Sequence, residues 1–173
     1  MAKMVFITGG ARSGKSSYAQ QLLEQQTGKL LYIAPAQIQD EEMAARVELH
    51  REARGERWQL LEEPLWLVDK LPDVVAGKGA LLLDCVTLWL TNLYFHFAEK
   101  PGPVLAEVDR LIELAWQLEE PLYLVSNELG GGIVPENRLA RKFRDLAGIV
   151  NQRLAAASDE AWLMVAGLPV RLK

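Results

Sequence analysis

Met4-Val5-Phe6-Ile7-Thr8-Gly9-Gly10-Ala11-Arg12-Ser13-Gly14-Lys15-Ser16 runs an apolar segment straight into a glycine-rich loop ending in Gly-Lys-Ser. The segment 4–8 is short, continuous and apolar, the pattern of a strand buried on both faces. Residues 9–16 fit G-x-x-x-x-G-K-[ST] at every specified position. The glycines let the backbone curl so that successive N–H groups converge on one anion. Lys15 then supplies a cation for β- and γ-phosphates, and Ser16 a hydroxyl for Mg²⁺. A helix predicted over 14–26 turns the positive end of its dipole toward the same phosphates. Gly9, Gly10, Ala11, Arg12, Ser13, Gly14, Lys15 and Ser16 together read as a nucleotide-binding loop.

The pattern of buried strand, turn and helix repeats along the chain. Apolar runs at 30–34, 80–84, 122–126 and 160–166 read as further strands, with an edge strand over 170–173 after the Gly167–Pro169 turn. Helical spacing appears over 40–54, where Asp40 is a fitting N-cap, over 104–119, and over 135–157 with Pro135 in its first turn. A shorter helix is expected over 64–75. Residues 88–97 fit either a helix or irregular structure, and 97–103 a polar turn. Alternation of this kind gives an α/β domain spanning 1–173, a mostly parallel sheet with helices on both faces. Such sheets bind ligands at the carboxyl ends of their strands. Asp84 closes Ala80-Leu81-Leu82-Leu83-Asp84 there, the position of a metal- or nucleotide-facing carboxylate in a phosphate-loop protein. The plainer reading is a strand-end Asp capping a turn.

Composition narrows the partners. The chain has 173 residues, half of them apolar, with a formal net charge of −4. Lys and Arg are outnumbered by carboxylates, so no basic face for nucleic acid is expected. Cys85 is the single cysteine, so no intramolecular disulfide forms. No apolar run reaches the length of a bilayer span, and the sequence opens on a strand rather than a signal peptide. A cytoplasmic protein is the expectation.

A phosphate loop does not say which bond is cut. His50 offers a clue, because Arg46, His50 and Arg54 fall at i, i+4 and i+8 and make one side of the 40–54 helix basic. A neutral imidazole is a competent nucleophile toward phosphorus, and neighbouring cations help to hold the phosphates it attacks. Met43 and Val47 lie seven and three residues before it, so packing beside an apolar stripe is the competing reading. His96, among Tyr94, Phe95 and Phe97, reads as a packing or surface residue.

Longer segments carry a resemblance. They include Thr8 to Ser16, Tyr32-Ile33-Ala34, Asp40-Glu41-Glu42-Met43-Ala44-Ala45-Arg46, Leu83-Asp84-Cys85-Val86-Thr87 and Thr91-Asn92-Leu93. Ser126-Asn127-Glu128, Gly132-Ile133-Val134-Pro135-Glu136-Asn137-Arg138 and Val150-Asn151-Gln152-Arg153-Leu154 continue them. In these the chain resembles the bifunctional adenosylcobinamide kinases/adenosylcobinamide-phosphate guanylyltransferases of cobalamin biosynthesis. The resemblance implies a P-loop NTPase fold of the RecA-like kind and two reactions in one domain. ATP or GTP first phosphorylates adenosylcobinamide. A histidine then takes GMP from GTP and passes it to the cobinamide phosphate.

That histidine falls on His50. The resemblance also implies nucleotide contacts at Ala34, Pro35 and Ala36, at Arg51, Glu52, Ala53 and Arg54, and at Glu62 and Asp84. Mg²⁺ goes with Ser16 and Asp84, and the assembly is a homotrimer. By spacing alone, Glu62 is a solvated helix-start carboxylate, and Arg51 and Arg54 a solvated face. Gly130-Gly131-Gly132 places a third glycine where the family varies, either as a plain strand-to-helix turn or as a mobile wall near the corrinoid. Two other classes fit the loop on its own, a monofunctional small-molecule kinase and a non-catalytic nucleotide switch or assembly ATPase.

Overall fold

The computed structural model describes residues 3–35 and 55–173. The predicted helix 40–54, with Ala36, His50, Arg51, Glu52, Ala53 and Arg54, lies outside the described residues. The chain order is β1 (Met4–Gly9), α1 (Lys15–Glu24), β2 (Lys29–Ala34), β3 (Trp58–Glu62), α2 (Leu67–Val74) and β4 (Lys78–Asp84). It continues with α3 (Val86–His96), α4 (Pro101–Gln117), β5 (Leu122–Asn127), α5 (Arg138–Ala157), β6 (Glu160–Val165) and β7 (Leu168–Arg171). The strands form one seven-stranded sheet in the order β3-β2-β4-β5-β1-β6-β7. All neighbours are parallel except β7, which returns antiparallel on β6.

The apolar runs of β1, β2, β4 and β5 are buried because helices cover both faces, as the sequence leads one to expect. Alternate residues divide between two cores. Val5, Ile7, Leu30, Tyr32, Leu82, Tyr123 and Val125 pack with Ala19 and Leu23 of α1. Met4, Phe6, Ile33, Leu83 and Leu124 face α2, α3, α4 and α5 through Leu67, Trp89, Val108 and Leu146. The connection leaving β1 therefore runs over one face and the connection leaving β5 over the other. Adjacent parallel strands whose connections diverge in this way open a crevice at their carboxyl ends. Gly9 and Asn127 are paired across it.

Four elements, β3, α4, α5 and β7, differ from the sequence expectation, and α3 settles a segment that it left open. β3 carries no apolar run: its residues alternate poorly and Gln59, Leu60 and Glu62 are exposed. It is an edge strand formed by backbone pairing with β2 alone, so Glu62 ends a strand instead of starting a helix. Glu63 caps the next turn, its Oε1 accepting from the amides of Leu65 and Trp66. Residues 88–97 belong to a helix, α3, whose apolar residues run all round it because it lies deep between the sheet and its neighbours.

α4 begins at Pro101 inside the expected polar turn, since prolines suit a first helical turn that needs no donor. α5 begins at Arg138 and leaves Pro135 outside, because Asn137 is the cap. The Asn137 side chain accepts from the amides of Leu139 and Ala140. β7 starts two residues earlier than the expected edge strand, directly after a tight turn at Ala166 and Gly167, both with positive φ.

Candidate active site

The loop after β1 is tightly constrained. A Cβ on Gly9 would lie 2.5 Å from the carbonyl oxygen of Met164 and 2.7 Å from Ser13 Oγ. Only glycine permits that approach to β6. Gly14, the cap of α1, has φ +95°, in the left-handed region that glycine enters at little cost. The curl between them is pinned on two sides. The amide of Glu128, just past β5, donates to Gly9 O at 2.9 Å, and that of Gly167 in the β6–β7 turn donates to Ser13 O at 3.0 Å.

What the loop leaves unpaired is as informative. α1 has no side-chain cap and no acidic residue in its first turn, so its leading N–H groups are not satisfied by a protein carboxylate. Among the described residues, the buried hydroxyls Thr8 Oγ1 and Ser13 Oγ have no hydrogen-bond partner. The unsatisfied Ser13 hydroxyl and the uncapped helix N-terminus belong to the same turn, a combination that suits an anion, whereas Thr8 lies on the other face of β1 beside Ser126.

Lys15 is 7% exposed, and its Nζ donates to Gly10 O at 2.6 Å. Burial lowers its pKa below the usual lysine range, while the nearby Cys85 and Asp84 push it back up. The cation is thus held next to Asp84 with part of its hydration removed. Asp84, at the end of β4, accepts from the Tyr32 hydroxyl at 3.0 Å through Oδ2. Tyr32 comes from β2, the neighbouring strand, so two strands fix the carboxylate's direction. The Cys85 thiol is pushed up, chiefly by burial, and stays protonated at neutral pH, which suits it to packing rather than nucleophilic chemistry.

The next loops meet at one side chain. Asn92 on α3 donates to Pro35 O at 2.7 Å and to Pro64 O at 3.1 Å, tying the turn after β2 to the turn after β3. Ala34 and Pro35 are buried, and Glu62 is exposed at the end of β3 opposite Ala34. Asn92→Ala is expected to cost about 1–3 kcal/mol of stability, because two carbonyls lose their donor. Asn92→Asp should cost more, since a carboxylate would then face both carbonyl oxygens. Urea unfolding of the two variants beside wild type checks the order.

Gly9 to Ser16, Ala34, Pro35, Glu62 and Asp84 all lie at the carboxyl ends of β1, β2, β3 and β4 or in the loops that follow. Residues read from the sequence thus gather on one edge of the sheet. Pattern reading missed Tyr32, Asn92, and the Met164 and Gly167 contacts that hold the loop. Tyr32 and Asn92 stand inside segments of the resemblance without a role, and Gly167 was visible only as part of a turn over Gly167–Pro169. His96 packs its ring edge-on against Trp66 at 5.1 Å, in keeping with a packing or surface role.

Relatives agree with this architecture. The bifunctional adenosylcobalamin biosynthesis protein CobU of Escherichia coli (strain K12) is 44% identical over 98% of this chain and 99% of its own length. CobU of Salmonella typhimurium is likewise 44% identical over the same shares. The bifunctional protein CobP of Pseudomonas aeruginosa is 42% identical over 96% of this chain and 95% of its own. In three dimensions the RadB recombinase superposes with a TM-score of 0.55 at 16% identity, covering 93% of this chain and 73% of that one, a likeness of fold alone. The family model for cobinamide kinase/cobinamide phosphate guanyltransferase matches residues 5–172, and the chain belongs to that family.

Proposed function

We propose that this chain phosphorylates adenosylcobinamide with ATP or GTP held in the loop 9–16, then transfers GMP from GTP to the cobinamide phosphate through His50. The observation that carries the nucleotide reading is the loop itself, with its uncapped helix N-terminus and the buried Lys15 beside Asp84. Family membership supports the two acceptors and the order of the two reactions.

Both reactions are displacements at phosphorus, so positioning and charge neutralisation supply most of the rate. In the first, Lys15 and the amides of residues 9–16 hold the β- and γ-phosphates while the acceptor hydroxyl approaches. In the second, the His50 imidazole attacks the α-phosphorus, pyrophosphate leaves, and the phosphoramidate keeps the guanylyl group activated for the acceptor. Ala34, Pro35, Ala36 and Glu62, with Arg51, Glu52, Ala53 and Arg54, form the remaining nucleotide contacts in this reading.

Ser16 and Asp84 would hold Mg²⁺. Asp84 fits, because Tyr32 occupies only Oδ2 and leaves Oδ1 open among the described residues. Among those residues no cluster of three or more His, Cys, Asp or Glu makes a cage, and Mg²⁺ on nucleotides characteristically uses one or two carboxylates plus phosphates. When bound, it neutralises developing charge on the phosphates. A homotrimer is the assembly that the resemblance supports.

Incubating the protein with Mg²⁺ and GTP labelled in its α-phosphate, followed by denaturing electrophoresis, tests the guanylyl step. An acid-labile, base-stable label on the chain is expected. An unlabelled chain that still moves the γ-phosphate to cobinamide would reduce the protein to a monofunctional kinase.

A further inference from the structure

Ser126-Asn127-Glu128 has no role in the chemistry so far, yet the fold secures it with unusual care. β4 ends at Asp84, opposite Val125, so beyond Val125 there is no strand on that side for β5 to pair with. Side chains take over. Thr87 Oγ1 accepts from the Asn127 amide at 2.8 Å, and Asn151 Nδ2 of α5 donates to Asn127 O at 3.1 Å. Ser126 Oγ joins them, donating to Asn151 Oδ1 at 2.7 Å and lying 3.3 Å from Thr87 Oγ1. Thr87, Ser126 and Asn151 are all buried. Buried polar side chains are tolerated when fully bonded, and such a network rigidifies what it holds. Here it fixes the backbone of one residue.

The Asn127 side chain points the other way from that network. Along β5, Tyr123 and Val125 face α1 and the phosphate loop, whereas Leu122 and Leu124 face α5. Alternation puts Ser126 on the α5 side, where its bond to Asn151 confirms it, and the Asn127 carboxamide on the loop side. Asn127 pairs with Gly9, one strand spacing of about 4.8 Å away. Asp84 is its diagonal neighbour across β4, about 7–8 Å away by ladder geometry. The residue therefore stands between the phosphate loop and the Asp84 carboxylate, on the wall of the β1–β5 crevice. It is half-buried, and among the described residues its carboxamide has no hydrogen-bond partner.

We propose that Asn127 is a further residue of the active site, whose carboxamide donates a hydrogen bond to the γ-phosphate of the bound nucleoside triphosphate. The proposal rests on the reading that the nucleotide's phosphates occupy residues 9–16. In the kinase step the acceptor hydroxyl oxygen forms the new bond to the γ-phosphorus. The bond to the β,γ-bridging oxygen breaks, its electron pair leaves with the nucleoside diphosphate, and the hydroxyl proton passes to solvent. Asn127 Nδ2 holds an equatorial oxygen of the phosphoryl group throughout. A neutral donor suits this place, because Lys15 already supplies the cation and a carboxylate would repel the phosphate. Thr87, Ser126 and Asn151 are positioning residues for it.

The readout is the preference for GTP over GDP, measured by calorimetry on the full chain, with kinase turnover on cobinamide alongside. Asn127→Ala is expected to weaken GTP about tenfold while GDP stays within about twofold, and to lower kinase kcat by about 10–100-fold. Asn127→Asp, nearly the same shape, is expected to weaken GTP further through charge repulsion, which guards against a loss due only to altered packing. Equal losses for GTP and GDP, or unchanged binding of both by either variant, would overturn the assignment. Lys15→Met runs beside them. If it keeps wild-type affinity for GTP, the nucleotide is not in the loop, and the proposal falls together with the reading beneath it.

Discussion

Lys15→Met is expected to lower kinase kcat/KM by about 10²–10³-fold and, at the same time, to stabilise the nucleotide-free protein. The first effect follows from removing the buried side-chain cation of the loop, which in the proposed reaction is aimed at charge that builds during transfer. The second follows from burial. Folding takes part of the hydration from the Lys15 ammonium, and the carbonyl at 2.6 Å with the nearby Cys85 and Asp84 do not make up the loss, because its pKa is still lowered. A base whose folded pKa lies below its ordinary value of 10.5 destabilises the fold whenever it is charged.

The sign can be checked by titration. Between the lowered pKa and 10.5 the unfolded chain binds more protons than the folded one, so wild-type stability rises with pH through that window. Lys15→Met lacks this rise. The gap in urea stability between variant and wild type should therefore be greatest near neutral pH and close as pH approaches 10.5. Saturating nucleotide should reverse the order, since phosphates give the cation its missing partner and stabilise only the protein that binds them. A variant less stable than wild type at neutral pH without nucleotide would show that Lys15 is a structural residue. Activity and stability oppose each other here, as they do at many sites built to receive a charge.

Much of this was legible in the sequence, for reasons that differ by element. β1, β2, β4 and β5 are buried on both faces, so their apolar runs announce them. The loop 9–16 follows from a motif in which each residue type answers to a phosphate. β3 was not legible, because an edge strand held by backbone pairing leaves no hydrophobic signature in Gln59, Leu60 or Glu62. α3 was ambiguous because a helix apolar on all sides has no period to read. The start of α5 was displaced because Pro135 and Asn137 both signal a helix start and the side chain that bonds two amides prevails.

In the candidate site, residues with local logic could be singled out from the sequence, whereas those held by tertiary contact could not. Tyr32 reaches Asp84 from another strand, Asn92 joins two loops distant in sequence, and Asn127 depends on Asn151 twenty-four residues on. No window along the chain contains those pairs.

His50→Ala is expected to abolish labelling by α-phosphate-labelled GTP, by about 10³-fold or more, while γ-phosphate transfer to cobinamide continues. The reasoning is chemical. If GMP is carried as a phosphoramidate on His50, the imidazole nitrogen is the bond-forming atom, and alanine offers none. Cys85 lies near Lys15, but burial keeps its thiol protonated and weakly nucleophilic. The kinase step uses the γ-phosphorus and owes nothing to that nitrogen. Loss of both activities together would make His50 a structural residue, and retained labelling would place the guanylyl group elsewhere. Crossing the two variants goes further, because in the proposed reactions Lys15 addresses the β- and γ-phosphates and His50 the α-phosphorus. If one bound nucleotide serves both reactions, Lys15→Met should remove labelling along with phosphorylation. If labelling survives Lys15→Met, GTP meets His50 in a second mode that does not use the loop lysine, and the two reactions share a domain without sharing a single pose.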